Sequence, residues 1–226
     1  MISKRTVVTG ASSGIGRAIA ERLLREDHRV IGLDHAPRTI HDPAFEAVEV
    51  DLMDRAATLA AAERIGQVDG LVHAAGIMRA GRLGALDHAT GEALWRLHVD
   101  AAVTLADHFA PLMTRGGRIV LIGSRTARGV AGKSQYAAVK AALVGLARSW
   151  ARELASAGVT VNVVAPAATE TAMLADPARA VLPPEVPPIG RLIRPQEIAA
   201  LVAFLLSENA AAITGQEITI CGGASL

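Results

Sequence analysis

The sequence is poor in cysteine and aromatic residues, and it has no long hydrophobic run and no block of like charge. A single cysteine, Cys221, excludes an internal disulfide framework and is typical of a reducing cytoplasm. The longest uninterrupted apolar run, 198–206, is far shorter than the roughly 20 residues of a membrane span. The formal net charge is only +1, which disfavours nucleic acid as a partner. Because residues 1–5 lead straight into a predicted strand, we expect no signal peptide and a cytoplasmic protein.

A glycine-rich turn between a predicted strand and a predicted helix organises the N-terminal part of the chain. The segment 6–17 runs from a β-branched stretch through Gly10, Gly14 and Gly16 into residues with helical periodicity. In such a turn Gly10 reverses the chain, Gly14 lets the backbone approach a ligand, and Gly16 lets the helix pack closely. The free N–H groups of the first helical turn then face a diphosphate. The spacing is GxxxGxG rather than GxGxxG, and a purely structural turn is the alternative.

Asp34 ends the next apolar segment, about 20 residues after the turn, where a carboxylate would hold ribose hydroxyls. Its charge predicts NAD as the cofactor, because a carboxylate repels a 2′-phosphate by roughly 4 kcal/mol at ~4 Å and an effective dielectric constant of ~20. Three residues that are near in sequence, His35, Arg17 and Arg38, would soften this preference.

Predicted strands and helices alternate along the whole chain. The predicted strands are 6–9, 29–34, 45–52, 68–75, 117–123, 159–165 and 217–221, and the predicted helices after the first are 56–65, 90–113, 136–154 and 195–206. This alternation predicts an α/β fold: a single Rossmann-type, doubly wound domain of residues 1–226, with a parallel sheet flanked by helices on both faces. A proline-rich stretch at about 171–194 is expected to be a short substrate loop.

Three polar residues could carry chemistry at the carboxyl edge of this sheet. Tyr136 is the only tyrosine and stands four residues before Lys140, so the two side chains share one helix face. A nearby ammonium favours the phenolate and brings proton transfer within range at neutral pH. Ser124 ends the preceding strand, where its hydroxyl can orient a substrate oxygen. Taken singly, each residue is also compatible with a half-buried phenol, a surface lysine or a turn serine.

Further short segments follow one another along the chain at 9–16, 51–52, 74–76, 161–166 and 190–199, together with Ser124 and Tyr136-x-x-x-Lys140. This series resembles the short-chain dehydrogenase/reductase family, and the resemblance covers essentially the whole chain. It implies an oxidoreductase that moves a hydride between a nicotinamide and an alcohol or ketone carbon of a small molecule. It also implies a homodimer or homotetramer.

The resemblance also implies roles for individual residues. Tyr136 is the general acid/base, Lys140 favours its phenolate and binds the nicotinamide ribose, and Ser124 positions the reacting oxygen. The implied cofactor contacts include Tyr136 and Lys140, with Asp51 at adenine and Thr169 and Thr171 at the carboxamide. The remaining implied contacts are Gly10, Ser12, Ser13, Gly14, Ile15, Gly16, Asp34, Leu52, Ala74, Ala75 and Gly76, and no metal is implied.

Several positions depart from the family pattern. His73 and His98 stand where the family usually has asparagine, Ala167 stands for glycine, and Cys221 stands for aspartate. The spacing between Ser124 and Tyr136 is one residue shorter than usual. His98 is then either a titratable replacement in the proton relay or a core histidine, and His73 is interpreted as structural.

The segments 33–36, 76–81, 169–173 and 222–226 resemble the 2,3-dihydro-2,3-dihydroxybenzoate dehydrogenase branch. This likeness implies a cyclic dihydrodiol or a hydroxy acid as substrate, with Arg79 pairing with its carboxylate, although a loop arginine is more often only solvated. The alternatives are an NADP-dependent ketoreductase such as a 3-oxoacyl reductase, an epimerase or lyase that retains its cofactor, and a dinucleotide-sensing protein without catalysis.

Overall fold

Seven parallel strands form one sheet in the computed structural model, which describes residues 3–175 and 185–226, without the side chain of Ala175. The strands are β1 (Arg5–Thr9), β2 (Arg29–Asp34), β3 (Phe45–Glu49), β4 (Gly70–His73), β5 (Arg118–Ile122), β6 (Thr160–Pro166) and β7 (Glu217–Ile220). Their order is β3-β2-β1-β4-β5-β6-β7, and every neighbouring pair is parallel. All side chains of β5 and β6 are buried, as expected of strands covered on both faces.

Helices cover both faces of the sheet. They are α1 (Gly14–Leu24), α2 (Arg55–Ile65), α3 (His88–Trp95), α4 (Ala101–Phe109), α5 (Ser134–Leu154) and α6 (Pro195–Leu206). One hydrophobic core lies between the sheet and α2, α4 and α5, and a second lies between the sheet and α1 and α6. The predicted α/β architecture, doubly wound around a parallel sheet, is confirmed. No helix of the described ranges is both long enough and apolar enough to cross a bilayer.

Local chemistry moves several predicted boundaries. The helix predicted at 90–113 begins at His88, because the Asp87 side chain accepts the backbone N–H groups of Ala89 and Thr90. It is divided by a π-helical segment, Arg96–Asp100, and α4 ends at Phe109, just before Pro111. The strand predicted at 45–52 ends at Glu49, and the one at 68–75 is only Gly70–His73. Of the predicted loop at 171–194, residues 176–184 lie outside the described residues.

Close packing at Gly16 yields a stability prediction. A Cβ built on Gly16 would lie 2.2 Å from the Gly10 carbonyl oxygen, so Gly16→Ala is expected to destabilise the fold by about 1–3 kcal/mol through overpacking. Gly145 in α5 is exposed and a Cβ there meets nothing within 4 Å. Gly145→Ala is therefore the matched control and should stabilise the helix by about 0.5–1 kcal/mol. Urea unfolding of both variants measures the difference, and equal stabilities would contradict this account of the turn.

Candidate active site

A cavity opens at the carboxyl edge of the sheet, where β1, β4, β5 and β6 end. The walls combine the glycine turn after β1, the segment after β4, the end of β5, the start of α5 and the segment after β6. Fourteen of the residues predicted from the sequence line it: Gly10, Ser13, Gly14, Ile15, Gly16, Ala74, Ala75, Gly76, His98, Ser124, Tyr136, Lys140, Thr169 and Thr171. The carboxyl ends of parallel strands are the usual ligand site of such sheets.

The glycine turn has the features of an anion cradle. Gly10 has a φ of 68°, and a Cβ there would lie 2.9 Å from the Cα of Ala75, so only glycine fits this approach. Ser13 precedes α1 with extended backbone and makes no side-chain cap, which leaves the first-turn N–H groups uncapped toward the cavity. A helix N-terminus in this state favours a diphosphate through both hydrogen bonds and the helix dipole. The residues present therefore fit a dinucleotide.

Lys140 is the buried cation of the site. Its side chain lies in the first turns of α5, with the residue only 4% exposed, and Nζ donates a hydrogen bond of 2.6 Å to the Ile122 carbonyl at the end of β5. Burial lowers the pKa of Lys140 from 10.5 to about 7, because the ammonium loses its hydration. Near neutral pH this group therefore gains and loses a proton readily.

Tyr136 and Ser124 face the same cavity as Lys140. The Lys140 Nζ lies 5.8 Å from the centre of the Tyr136 ring, as expected for residues one helical turn apart. Ser124 is buried, and its Oγ accepts the backbone N–H of Thr126 at 3.1 Å, which fixes the hydroxyl at the start of a short 3₁₀ turn. A hydroxyl that accepts from the backbone keeps its own O–H for another acceptor. A substrate oxygen can be that acceptor.

His73 is a satisfied buried histidine. The Thr9 hydroxyl oxygen accepts the N–H groups of Ala74 and Ala75 at 2.9 Å each, so its proton goes to His73 Nδ1, 3.1 Å away. The other ring nitrogen, Nε2, then donates to the Leu97 carbonyl at 3.1 Å. Burial lowers the pKa of His73 to about 3, with a further contribution from the Lys140 charge. The residue is neutral and joins β1, β4 and the π-helical segment, in agreement with the structural interpretation.

His98 has one satisfied nitrogen and one unsatisfied nitrogen. It lies on the π-helical segment, where its Nε2 donates to the Ile77 carbonyl at 2.8 Å. Its Nδ1 is buried and has no hydrogen-bond partner among the described residues. Burial, and then the charge of Lys140, lowers the pKa of His98 well below its usual value, so the ring is neutral. The ring stands edge-on to Tyr136 at 5.7 Å, and its role in a proton relay stays a prediction.

The remaining predicted site residues lie outside this cavity. Ser12 and Asp34 line a small neighbouring cavity, where the Ser12 N–H donates to the Asp34 carboxylate at 3.0 Å. Asp51 lies in a groove beside α2 and α3, with its carboxylate accepting the Met53 N–H at 2.9 Å, and Leu52 is buried. Arg79 donates to the Met78 carbonyl at 2.9 Å and is not among the cavity-lining residues that the structure describes.

Several residues that line the cavity were not predicted from the sequence, above all Arg125, Lys133 and Glu185. Arg125 directly follows Ser124, and this position next to a predicted site residue was its one signal in the sequence. Glu185 carried no local signal in the sequence that pointed to the cavity.

A family model, protein relatives and solved structures each match nearly the whole length of this chain. The model of a family described as "Enoyl-(Acyl carrier protein) reductase" matches residues 10–225. The chain is 40% identical to the 3-oxoacyl-[acyl-carrier-protein] reductase FabG of Salmonella typhimurium, covering 97% of this chain and 96% of that protein. It is 35% identical to the 3-oxoacyl-[acyl-carrier-protein] reductase MabA of Mycobacterium tuberculosis, covering 98% and 93%. A short-chain dehydrogenase from Burkholderia cenocepacia, solved in complex with NADP, is 34% identical with a TM-score of 0.85, covering 99% and 98%.

The buried ammonium of Lys140 yields a pH-dependent stability prediction. The unfolded chain keeps the ordinary pKa of 10.5, so the cost of burying the charge is complete below pH 7 and fades as the pH rises towards 10.5. Lys140→Met is therefore expected to unfold at a higher temperature than the unmutated protein at pH 6, with a smaller difference at pH 9.5. Lys4, a partly buried lysine that also donates to a carbonyl, serves as the control as Lys4→Met. An increase in the unfolding temperature of Lys140→Met that is the same at both pH values would refute the lowered pKa of Lys140.

Proposed function

This chain belongs to the short-chain dehydrogenase/reductase family of oxidoreductases that act on CH–OH groups, and on that premise we propose that it reduces the ketone of a 3-oxoacyl compound. The observation that carries the proposal is the convergence of Ser124, Tyr136 and Lys140 with the glycine turn around one cavity. The names of the curated relatives support this alternative better than the expected cyclic dihydrodiol. Arg79, which was expected to bind the carboxylate of such a substrate, does not line the described cavity.

Ser124, Tyr136 and Lys140 have separate roles in the proposed reduction. The glycine turn and Lys140 would hold a reduced nicotinamide dinucleotide, and the chemistry that it would supply there is a hydride for the carbonyl carbon of the ketone. Ser124 donates a hydrogen bond to the carbonyl oxygen and so fixes its position beside the phenol. Tyr136 gives its proton to that oxygen, which becomes the hydroxyl of the product. The Lys140 cation stabilises the phenolate that Tyr136 then carries, until solvent returns a proton.

Removal of the phenol tests whether the protein is a catalyst. Tyr136→Phe is expected to lower kcat for ketone reduction by about 10²–10⁴-fold, the usual contribution of a general acid, while the protein still binds the cofactor. Turnover is followed by the absorbance of the reduced nicotinamide, and cofactor binding is followed by calorimetry. Unchanged turnover in this variant would exclude the mechanism. A parent protein that binds cofactor but shows no net nicotinamide turnover would favour a sensing protein or an epimerase.

We further propose NADH as the preferred cofactor, on the evidence of Asp34. Its carboxylate ends β2 and is held beside the glycine turn by the N–H groups of Ser12 and Ala36, each at 3.0 Å. The remaining lone pairs of a carboxylate can accept ribose hydroxyls, whereas its charge repels a 2′-phosphate. The Burkholderia cenocepacia relative was solved with NADP, so the proposal of NADH rests on Asp34 and not on family membership.

The two arginines expected to soften this preference are engaged elsewhere. Arg17 pairs with Glu21 at 2.8 Å, one turn further along α1. Arg38 donates to the carbonyls of Ile40 and Asp42 at 2.6 and 3.1 Å. Of the three residues named from the sequence, the exposed His35 has its Nδ1 3.3 Å from the Asp34 carboxylate, and Arg38 lines the same small cavity as Asp34. Neither arginine therefore forms an ion pair with Asp34, because the Arg17 guanidinium pairs with Glu21 and the Arg38 guanidinium donates to two carbonyls.

An isosteric change at Asp34 tests the cofactor preference. Asp34→Asn keeps an acceptor for the backbone N–H groups and removes the charge, so the ratio of kcat/KM with NADH to that with NADPH should fall at least about 10-fold. Glu46→Gln removes an exposed carboxylate of β3 that is not among the described residues lining the small cavity of Asp34, and it should leave the ratio unchanged. If both variants shift the ratio equally, general surface charge rather than Asp34 sets the preference.

A further inference from the structure

Arg125 directly follows Ser124 in the sequence, and its side chain lines the cavity. Its side chain is 28% exposed, so it is partly shielded from water. Of the charged side chains that line the described cavity, Arg125, Lys133 and Lys140 are basic and only Glu185 is acidic. The cavity therefore attracts a negatively charged guest.

The contacts of Arg125 leave donors for such a guest. Its Nη1 donates to the Ala224 carbonyl at 3.0 Å, and its Nη2 lies 3.8 Å from the Glu185 carboxylate. The Glu185 side chain is 89% exposed, and an exposed ion pair at this distance contributes little stability. A guanidinium carries five N–H donors and pairs well with a carboxylate through two of them. A carboxylate inside the cavity can thus replace Glu185.

The position of Arg125 in the sheet separates it from the diphosphate site. The glycine turn follows β1, whereas Arg125 follows β5, and β4 lies between these two strands. Neighbouring strands are about 4.8 Å apart, so the two features lie about 10 Å from each other along the sheet edge. Arg125 is instead adjacent to Ser124, which holds the reacting oxygen in the proposed reaction. An anion bound by Arg125 therefore belongs to the substrate and not to the cofactor.

We propose that Arg125 binds a carboxylate of the ketone substrate. The substrate class is then a 3-oxo acid that carries a free carboxylate. When no substrate is bound, Glu185 pairs with the Arg125 guanidinium. This inference rests on the proposed ketone reduction and narrows its substrate. The contact with Ala224 also suits a second role, in which Arg125 only anchors the C-terminal segment. The experiment separates the two roles, because an anchor would not distinguish charged from neutral substrates.

Three substrates with the same ketone provide the test: acetoacetate, its neutral ethyl ester, and acetoacetyl-coenzyme A, whose charges are on phosphates. The unmutated protein is expected to show the highest kcat/KM with acetoacetate. Arg125→Gln should raise KM for acetoacetate by about 10- to 100-fold, the range for a lost hydrogen bond to a charged group, with little change for the ester. Glu185→Gln removes the competing carboxylate and should lower KM for acetoacetate only. Arg128→Gln, an exposed arginine of the same turn, is the control and should change neither value.

Each contrary outcome has a distinct meaning. Equal losses for acid and ester in Arg125→Gln, with no effect of Glu185→Gln, would assign Arg125 to the anchoring role. Efficient reduction of the ester or of acetoacetyl-coenzyme A but not of acetoacetate would overturn the carboxylate inference and leave the proposed ketone reduction intact. A loss confined to acetoacetyl-coenzyme A in Arg125→Gln would show that the residue binds phosphate. Failure of the unmutated protein to reduce any of the three would overturn the proposed function and this inference together.

Discussion

The buried hydrogen bond from Lys140 Nζ to the Ile122 carbonyl joins the helix that carries the phenol to the strand that carries the serine. Ser124 follows Ile122 by two residues, and Tyr136 precedes Lys140 by one helical turn, so this bond sets the positions of both. An ammonium buried beside a carbonyl costs free energy, and such costs are usually tolerated at sites of binding or catalysis. The same desolvation brings the pKa of Lys140 to about 7, where its charge responds to the reaction.

The other half of the site depends on close backbone approach rather than on charge. Gly10 and Gly16 bring the first helix against the turn, and the Thr9 hydroxyl ties that turn to the segment after β4. His73 continues this network to the π-helical segment and so supports the position of His98. His73 and His98 therefore belong to one connected network of contacts. The family resemblance implies asparagines at both positions. The neutrality of both histidines follows from burial next to the Lys140 cation.

Much of the fold and of the candidate set of reacting residues could be predicted from the sequence, because both depend on the periodicity and spacing of residues near one another in the chain. Strand and helix alternation determines a parallel sheet, and the four-residue spacing of Tyr136 and Lys140 determines a shared helix face. Boundaries were predicted less well, because a single side chain such as Asp87 can start a helix two residues before its apolar pattern begins. Asp51 shows a further limit of prediction from sequence. Its position after β3 could be predicted, but the groove that it lines is formed by α2 and α3, which only the tertiary structure shows.

Residue type, spacing and periodicity along the chain were enough to determine the class of fold and to predict a dinucleotide-binding turn and a reacting set of Ser124, Tyr136 and Lys140. Only the tertiary structure decided which arginine lines the cavity, Arg125 rather than Arg79. The direction of a loop side chain depends on partners that are remote in sequence, and the Arg125 guanidinium is held by the carbonyl of Ala224, 99 residues away. Local sequence patterns contain no information about such a contact, because it joins the segment after β5 to the segment after β7.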